Sequence, residues 1–439
     1  MSDLRRKSHT RLLFVICALV LTVGASVMAL RGVSAETLGK FGITEQSRAG
    51  KLIEKIVPRT FAPKRLSPKM VAPSAATTLT EPAAPFATLT VTSGADTGAG
   101  TLRNQIAAAA SGDTIVFSGV TTVTLTSAEL LINKNLTIDG GANGVTITRS
   151  GATLFRIFTI NSGNTVSFNK LTISNGNRSG QAGGIQNNGT LTMTDCTVSG
   201  NTSGQGGGIQ NDSVLTMTGC TISGNTATDS DGGGMAAFGT NTTLTNCTFS
   251  GNNAIANGGG LSISSGVLVM TNCTVANNTA SLSGGEGGAL SIANPSLNAT
   301  LKNTVMIGNS LTVGTTHNVY TQSNFQAGSS NNLLGVGNAG GLTNGVNSNQ
   351  IGVAAANAPL AALGNYGGAT QTHALLPGNP AIDAGTATGA PTTDQRGIAR
   401  VGTTDIGAYE SRGFTMALSS GNNQSATVNT AFALPLSLT

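Results

Sequence analysis

The chain has 439 residues, 60 of them Gly, with no Trp and only 9% charged side chains, which describes a turn-rich, weakly charged β protein. Its net charge of +5 is unevenly placed: 13 bases stand against 4 acids up to Lys69, and 10 against 14 from Met70 onward. No Lys or Arg lies between Arg178 and Lys302, so the basic face that a nucleic-acid reader needs is missing and that class is disfavoured.

Arg5, Arg6, Lys7 and Arg11 precede an apolar run from Leu12 to Leu30, and Val33-Ser34-Ala35 comes next with small side chains. Residues 1–35 therefore read as a secretory signal peptide cleaved after Ala35, or as an uncleaved N-terminal anchor. Residues 36–85 are basic, carry six of the twelve Pro, and read as an extended linker. From 86 the pattern changes. Thr88 to Thr92 alternates, and Leu102, Ile106 and Ala110 share one helical face, predicting a short helix that covers the open end of a stack of strands. Those strands are expected at Thr121 to Thr126, Asn135 to Asp139, Val145 to Thr148, Phe155 to Ile160 and Thr165 to Ile173.

One motif is then written five times, from Gly183 to Asn309. The first copy is GGIQNNGTLTMTDCTVSGN and the second GGGIQNDSVLTMTGCTISGN. The closing residues Asn201, Asn225, Asn252, Asn278 and Asn309 are spaced by 24, 27, 26 and 31. A period in this range means a solenoid. Within a copy, Leu191 and Met193 alternate with Thr190, Thr192 and Thr194, which is a half-buried strand. Two or three such strands per copy, separated by Gly turns, must stack on their neighbours to bury an apolar face. The expected fold is all-β: a right-handed parallel β-helix over 86–359 with a short N-terminal capping helix.

Five residues before each closing Asn stand Cys196, Cys220, Cys247, Cys273 and Thr304, so four thiols should form an inward ladder. They read either as buried free thiols or as two bridges, Cys196 to Cys220 and Cys247 to Cys273. The five Asn should stack at a turn, each amide bonding the next. Outward Thr rows can order water, and equally suit any solvated strand.

Polysaccharide chemistry on such a fold needs paired carboxylates, or a base beside a Ca²⁺-bridged uronate. Between Ser179 and Leu301 the acids are Asp195, Asp212, Asp229, Asp231 and Glu286, with no base and no His. Asp229 and Asp231 form a Ca²⁺-type pair or a solvated turn; no other cofactor is implied. Asp139, Arg149, Arg156 and Lys170, in the earlier coils, are where a lyase or hydrolase site would lie. No Ser–His, Cys–His or phosphate-loop arrangement is found, and no catalytic residue is assigned.

Several stretches resemble known families. GTLRNQIAAAASGDTIVF, from Gly100 to Phe117, resembles the opening of bacterial secreted β-helix proteins that carry a C-S-L-R-E-A-I type segment. Thr101, Leu102, Arg103, Ile106, Gly112, Asp113, Thr114 and Ile115 carry the match, and Gly100 stands where many members have Cys. The GGGI and S-G-N elements are similar to those of polymorphic outer-membrane proteins and pectate-lyase-like solenoids. Residues 360–412 resemble the C-terminal module that closes bacterial β-helix surface proteins ahead of an anchor, through His373, Pro377, Pro380, Asp383, Asp394, Arg396, Asp405 and Glu410. The resemblance implies a cap and a surface address. The polar set of His373, Asp383, Asp394, Arg396 and Asp405 reads as Arg396 pairing a carboxylate to hold two loops of the cap together, or as a metal-binding or hydrolytic site. Residues 413–439 resemble the first strands of a truncated immunoglobulin-like domain, or a tail.

The resulting expectation is a secreted or cell-surface protein, outer membrane included, acting non-catalytically as a stalk or adhesin toward a glycan or protein ligand. Membrane contact would come only through the signal segment or an anchor beyond this sequence. The alternative is a polysaccharide lyase or glycoside hydrolase.

Overall fold

The computed structural model describes residues 86–281, 286–312 and 318–413, with the backbone of 418–420 and 437–438. The readings of 1–35 as a signal and of 36–85 as a linker, and most of 413–439, lie outside the described residues. Within them the chain winds as a parallel solenoid. Four sheets of nine, six, eight and ten strands run along it, each built by adding one strand per coil.

A repeat coil carries four strands, one more than the sequence predicts. Ile185–Asn187 belongs to the eight-stranded sheet, Thr190–Thr194 to the nine-stranded, Thr197–Ser199 to the ten-stranded and Thr202–Gln205 to the six-stranded. The missed strand is brief, shrinking to Thr226–Ala227 and Asn253–Ala254 in later coils, too short for a period of two to show. Leu191 and Met193 are fully buried while Thr190, Thr192 and Thr194 face outward, half-exposed, and they stand in register with Val214, Thr216 and Thr218. Lengthened copies keep this register by looping: Val214 pairs with Asn241, 27 residues on, and the extra residues fall between the strands.

The strand expected over Thr165 to Ile173 breaks at Lys170, whose φ is +50°. From this coil onward that position turns the corner between the nine- and ten-stranded sheets. Below it in the same left-handed conformation stand Asp195, Gly219, Asn246, Asn272, Asn303 and Asn331, so Asn and Gly dominate where an L side chain is strained. Elsewhere close approach selects Gly: a Cβ on Gly207 would lie 2.5 Å from the Gly233 carbonyl oxygen.

Cys196, Cys220, Cys247 and Cys273 form the inward column, fully buried as free thiols. Leu171 precedes them and Thr304 and Asn332 come after. The Asn column is continuous: Asn201 Nδ2 donates to Asn225 Oδ1 (2.9 Å), Asn225 to Asn252 (2.9 Å), Asn252 to Asn278 (2.8 Å) and Asn278 to Asn309 (2.9 Å). Each Oδ1 also accepts the preceding Asn backbone N–H, and each Nδ2 reaches a carbonyl of the coil before.

Thr304 shows what a hydroxyl does in the thiol column, its Oγ1 donating to Lys302 O at 3.1 Å. Cys220 Sγ already lies 3.4 Å from the corresponding Thr218 carbonyl. Cys220→Ser is therefore expected to lose only about 1 kcal/mol, since the buried hydroxyl inherits an acceptor. A urea titration showing a loss above about 3 kcal/mol would reject that account. Native protein should also leave all four thiols unreactive toward an aqueous thiol reagent.

At the N-terminal end a helix, α1 (Leu102–Ala108), places Leu102 and Ile106 on the core, with Thr101 Oγ1 accepting from Asn104 N. Arg103 holds Asp96 (2.6 Å) and the carbonyls of Ala128 and Glu129, and Asp113 accepts from the Ala87 and Ala110 amides. Two residues that carry the resemblance thus fasten the helix to the first coils. At the other end Phe325 and Leu334 extend the main core, with Leu342 and Ile351 packed against it.

Candidate functional site

The residues in which sequence reasoning placed a catalytic set are separated. Asp139 Oδ1 accepts from Gly141 N in a local turn. Lys170 sits at the left-handed corner beside Asp195, whose carboxyl burial pushes up against the opposing pull of Lys170. Arg149 is spent on the carbonyls of Gly151, Thr153 and Asn175. Arg156 stands apart, two residues ahead of Phe158–Ile160 in the eight-stranded sheet.

There Arg156 joins a polar row that crosses four coils. Glu129 Oε2 lies 3.1 Å from Arg156 Nε, accepts from Thr159 Oγ1 at 3.0 Å and lies 3.7 Å from Arg178. Arg156 Nη1 donates to Gln186 Oε1 (3.1 Å), and Gln186 Nε2 donates to Asp212 Oδ2 (2.6 Å). Gln210, the register partner of Gln186, donates to Asp212 Oδ1 at 2.9 Å, and its own Oε1 is buried without a partner. Burial lowers the pKa of Arg156, with Glu129 acting against that trend. Arg178 and Asp212 give the row its exposed ends. Sequence reasoning missed Glu129, Arg178, Gln186 and Gln210. The Gln at one offset in GGIQN and GGGIQN was the signal for two of them.

Asp229 and Asp231 lie in the turn between Thr226–Ala227 and Met235–Ala237. Asp231 Oδ1 accepts from Asn257 N (2.9 Å) and Nδ2 (3.1 Å), and Asn257 Oδ1 in turn accepts from Glu286 N. Among the described residues no three His, Cys, Asp or Glu side chains converge as metal ligands.

Residues 360–412 pack along the side of the solenoid, from the coil of Gly219 to the last coils at Asn331 and Gln350. Their contacts are with coils far away in sequence, so spacing gave no sign of them. They form a clamp on the ten-stranded sheet. Thr248 Oγ1 bonds Thr372 Oγ1 (2.8 Å) and Gln395 Oε1 (2.5 Å), Thr370 Oγ1 donates to Gly219 O (2.7 Å), and the Ala408 amide donates to Thr274 Oγ1. The left-handed corner supplies further donors: Asn246 to Thr393 O, Asn303 to Thr386 O and Asn331 to Ala384 O. Beneath it, Ala276, Val305, Ile307 and Leu333 make a small second core with Leu375, Ala381 and Ile406.

The charged set holds the clamp together internally. Arg396 pairs with Asp394 at 2.7 Å, donates to Glu410 O and stacks over Tyr409, its guanidinium carbon 3.7 Å from the ring centroid. Arg400 pairs with Glu410 at 2.8 Å and reaches Asn246 Oδ1. Asp405 accepts from the amides of Asp383 and Ser411, while the Asp383 side chain itself is exposed.

The family model of right-handed β-helix regions matches residues 156–334, the span that contains the repeat coils. The solenoid is a right-handed β-helix. Among solved structures, the crystal structure of pectate lyase Pel9A is similar at 16% identity and a TM-score of 0.47, over 74% of this chain and 96% of that one. No curated protein matches the chain.

Two buried groups are expected to make the clamp pH-dependent, His373 where it meets Ser250 of the β-helix and Asp405 within the clamp itself. His373 Nδ1 faces Ala361 O (2.8 Å) and Nε2 faces Ser250 Oγ (2.9 Å); a carbonyl only accepts, so Nδ1 carries the proton and Nε2 accepts from Ser250. Burial lowers its pKa below the ordinary 6.5. The unfolded form then protonates first, so this contribution is present above about pH 6.5 and is lost as pH falls below it. Asp405 is opposite: burial raises its carboxyl from 3.8 to about 6 against its amide donors. Its contribution is complete below 3.8 and is lost as pH rises through about 6. Melting curves should therefore show His373→Gln flattening the slope just below pH 6.5, and Asp405→Asn flattening the one between about pH 4 and 6. An unchanged profile in both variants would refute the assignment.

Proposed function

We propose that this chain is a secreted, cell-surface β-helix acting as a non-catalytic scaffold with an adhesin-like binding face. The observation that supports it most is how its charged groups are used. Arg103 with Asp96, Arg396 with Asp394 and Arg400 with Glu410 are structural pairs that fasten a helix or hold a clamp, and the nine-stranded sheet presents outward rows of uncharged Thr. The basic, apolar opening of the sequence supports export.

A second reading, a polysaccharide-cleaving enzyme, draws on the row of Glu129, Arg156, Gln186 and Asp212, where carboxylates and a guanidinium come together beside the eight-stranded sheet. The test is incubation of the chain with acidic and neutral polysaccharides, with and without Ca²⁺, followed by mass spectrometry. Intact polymers, together with retention of the folded chain on immobilised glycan or cells, are the expected result. Shortened or unsaturated products that vanish in Arg156→Ala would overturn the scaffold reading.

A further inference from the structure

The clamp occupies only part of the surface whose chemistry it uses. Outward Thr residues stack in one column of the ten-stranded sheet, and Thr221, Thr248 and Thr274 lie under the clamp, fully or almost fully buried. Thr146, Thr172 and Thr197 continue the same column toward the N-terminus, in register and half-exposed. The neighbouring column behaves alike: Ser250 bonds His373, and Ser174 and Ser199 carry the same hydroxyl uncovered.

The covered coils show what such a column binds. Thr221 Oγ1 donates to the Gln371 carbonyl, Thr248 meets a hydroxyl and an amide side chain, and Thr274 accepts a backbone N–H. Thr370-Gln371-Thr372-His373 is an uncharged stretch that crosses from the coil of Gly219 and Thr221 to the coil of Thr248 and Ser250, while Gln395 and Ala408 add contacts from two other parts of the clamp. Thr221 and Thr197 are adjacent rungs of one ladder, about 4.8 Å apart.

We propose that the face between Thr146 and Ser199 binds an extended, uncharged segment of a partner polypeptide with Thr-X-Thr-His chemistry, laid beside the clamp as a continuation of it. Recognition differs at the edge. Where the clamp meets Asn246 and Asn303, the partner meets Asp195 and Lys170 at the equivalent left-handed corner. A partner with an amide donor opposite Asp195 and an acceptor opposite Lys170 is favoured over one bearing two like charges.

The test uses the full chain and a synthetic peptide of residues 366–376, labelled for fluorescence anisotropy, with hydrogen exchange as the map. Saturable binding is expected, with new amide protection over 171–175 and 196–200 and unchanged protection over 370–373. The double substitution Thr172→Lys with Thr197→Lys, both on the exposed side of their strands, should weaken the peptide at least about tenfold while leaving the melting temperature unaltered. Absence of saturable binding would overturn the proposal, as would binding that the double variant does not weaken. Loss of protection over 370–373 would do so too, because the peptide would then be displacing the clamp. Self-association of the unliganded chain that the double variant abolishes would replace the peptide with a second copy as the occupant.

Discussion

Asn252→Ala should cost the β-helix about 4 kcal/mol. The side chain holds four hydrogen bonds at once: Oδ1 accepts from Asn225 N and Nδ2, and Nδ2 donates to Ile222 O and Asn278 Oδ1. Alanine leaves the Asn225 amide and the Ile222 carbonyl without these partners at a site where Asn252 is 1% exposed. Each buried group left unsatisfied costs about 1 to 3 kcal/mol. Because coils contact only their neighbours, the loss should concentrate in the coils around Ile222 and Asn278, read by hydrogen exchange as well as urea titration. Thr243→Ala, an outward change on the same coil, supplies the comparison and should stay within about 0.5 kcal/mol. Equal effects from the two variants would mean the Asn column is ornamental.

Glu410→Ala should act as strongly but elsewhere. Glu410 is 1% exposed and its carboxylate receives Arg400 Nη1, Val401 N and Asp405 N. Removing it strands the Arg400 guanidinium, 5% exposed, against Asn246 Oδ1 and Gly407 O. Breaking a buried pair from one side costs about 3 to 5 kcal/mol. The residues of the clamp contribute to the second core and not the main one, so rapid proteolysis within 360–412 is expected while the solenoid keeps its circular dichroism. Glu410→Gln, which keeps one acceptor, should be cut more slowly. Simultaneous loss of both signals would show that clamp and solenoid unfold as one unit.

The solenoid was legible because its core is local. Leu191 and Met193 recur as Leu215 and Met217, and the Cys and Asn columns recur at fixed offsets from them. Strand breaks were harder to see, since Lys170 turns a corner with a residue that has no turn preference while Asn246 and Asn272 do the same job recognisably. The clamp was illegible for another reason. Gln395 finds its partners at Cys220 and Thr221, 175 and 174 residues away, and no period relates them. The polar row fell between these cases: Gln186 and Gln210 belong to the repeats, whereas Glu129 and Arg156 belong to coils where the repeat has not yet become regular.

The Asn column also gives the molecule a unit of length. Every amide points the same way, donating toward the next coil and accepting from the one before, so any coil ending in Asn fits between any two others. Duplicating a repeat would extend the rod by about 4.8 Å without asking for new chemistry. The clamp restricts where that can happen, because Gly219, Asn246, Asn303 and Asn331 must keep their mutual distances to meet it. Coils ahead of Gly219 carry no such obligation, which leaves that end free to be lengthened or shortened in descendants while the clamped end stays fixed in size.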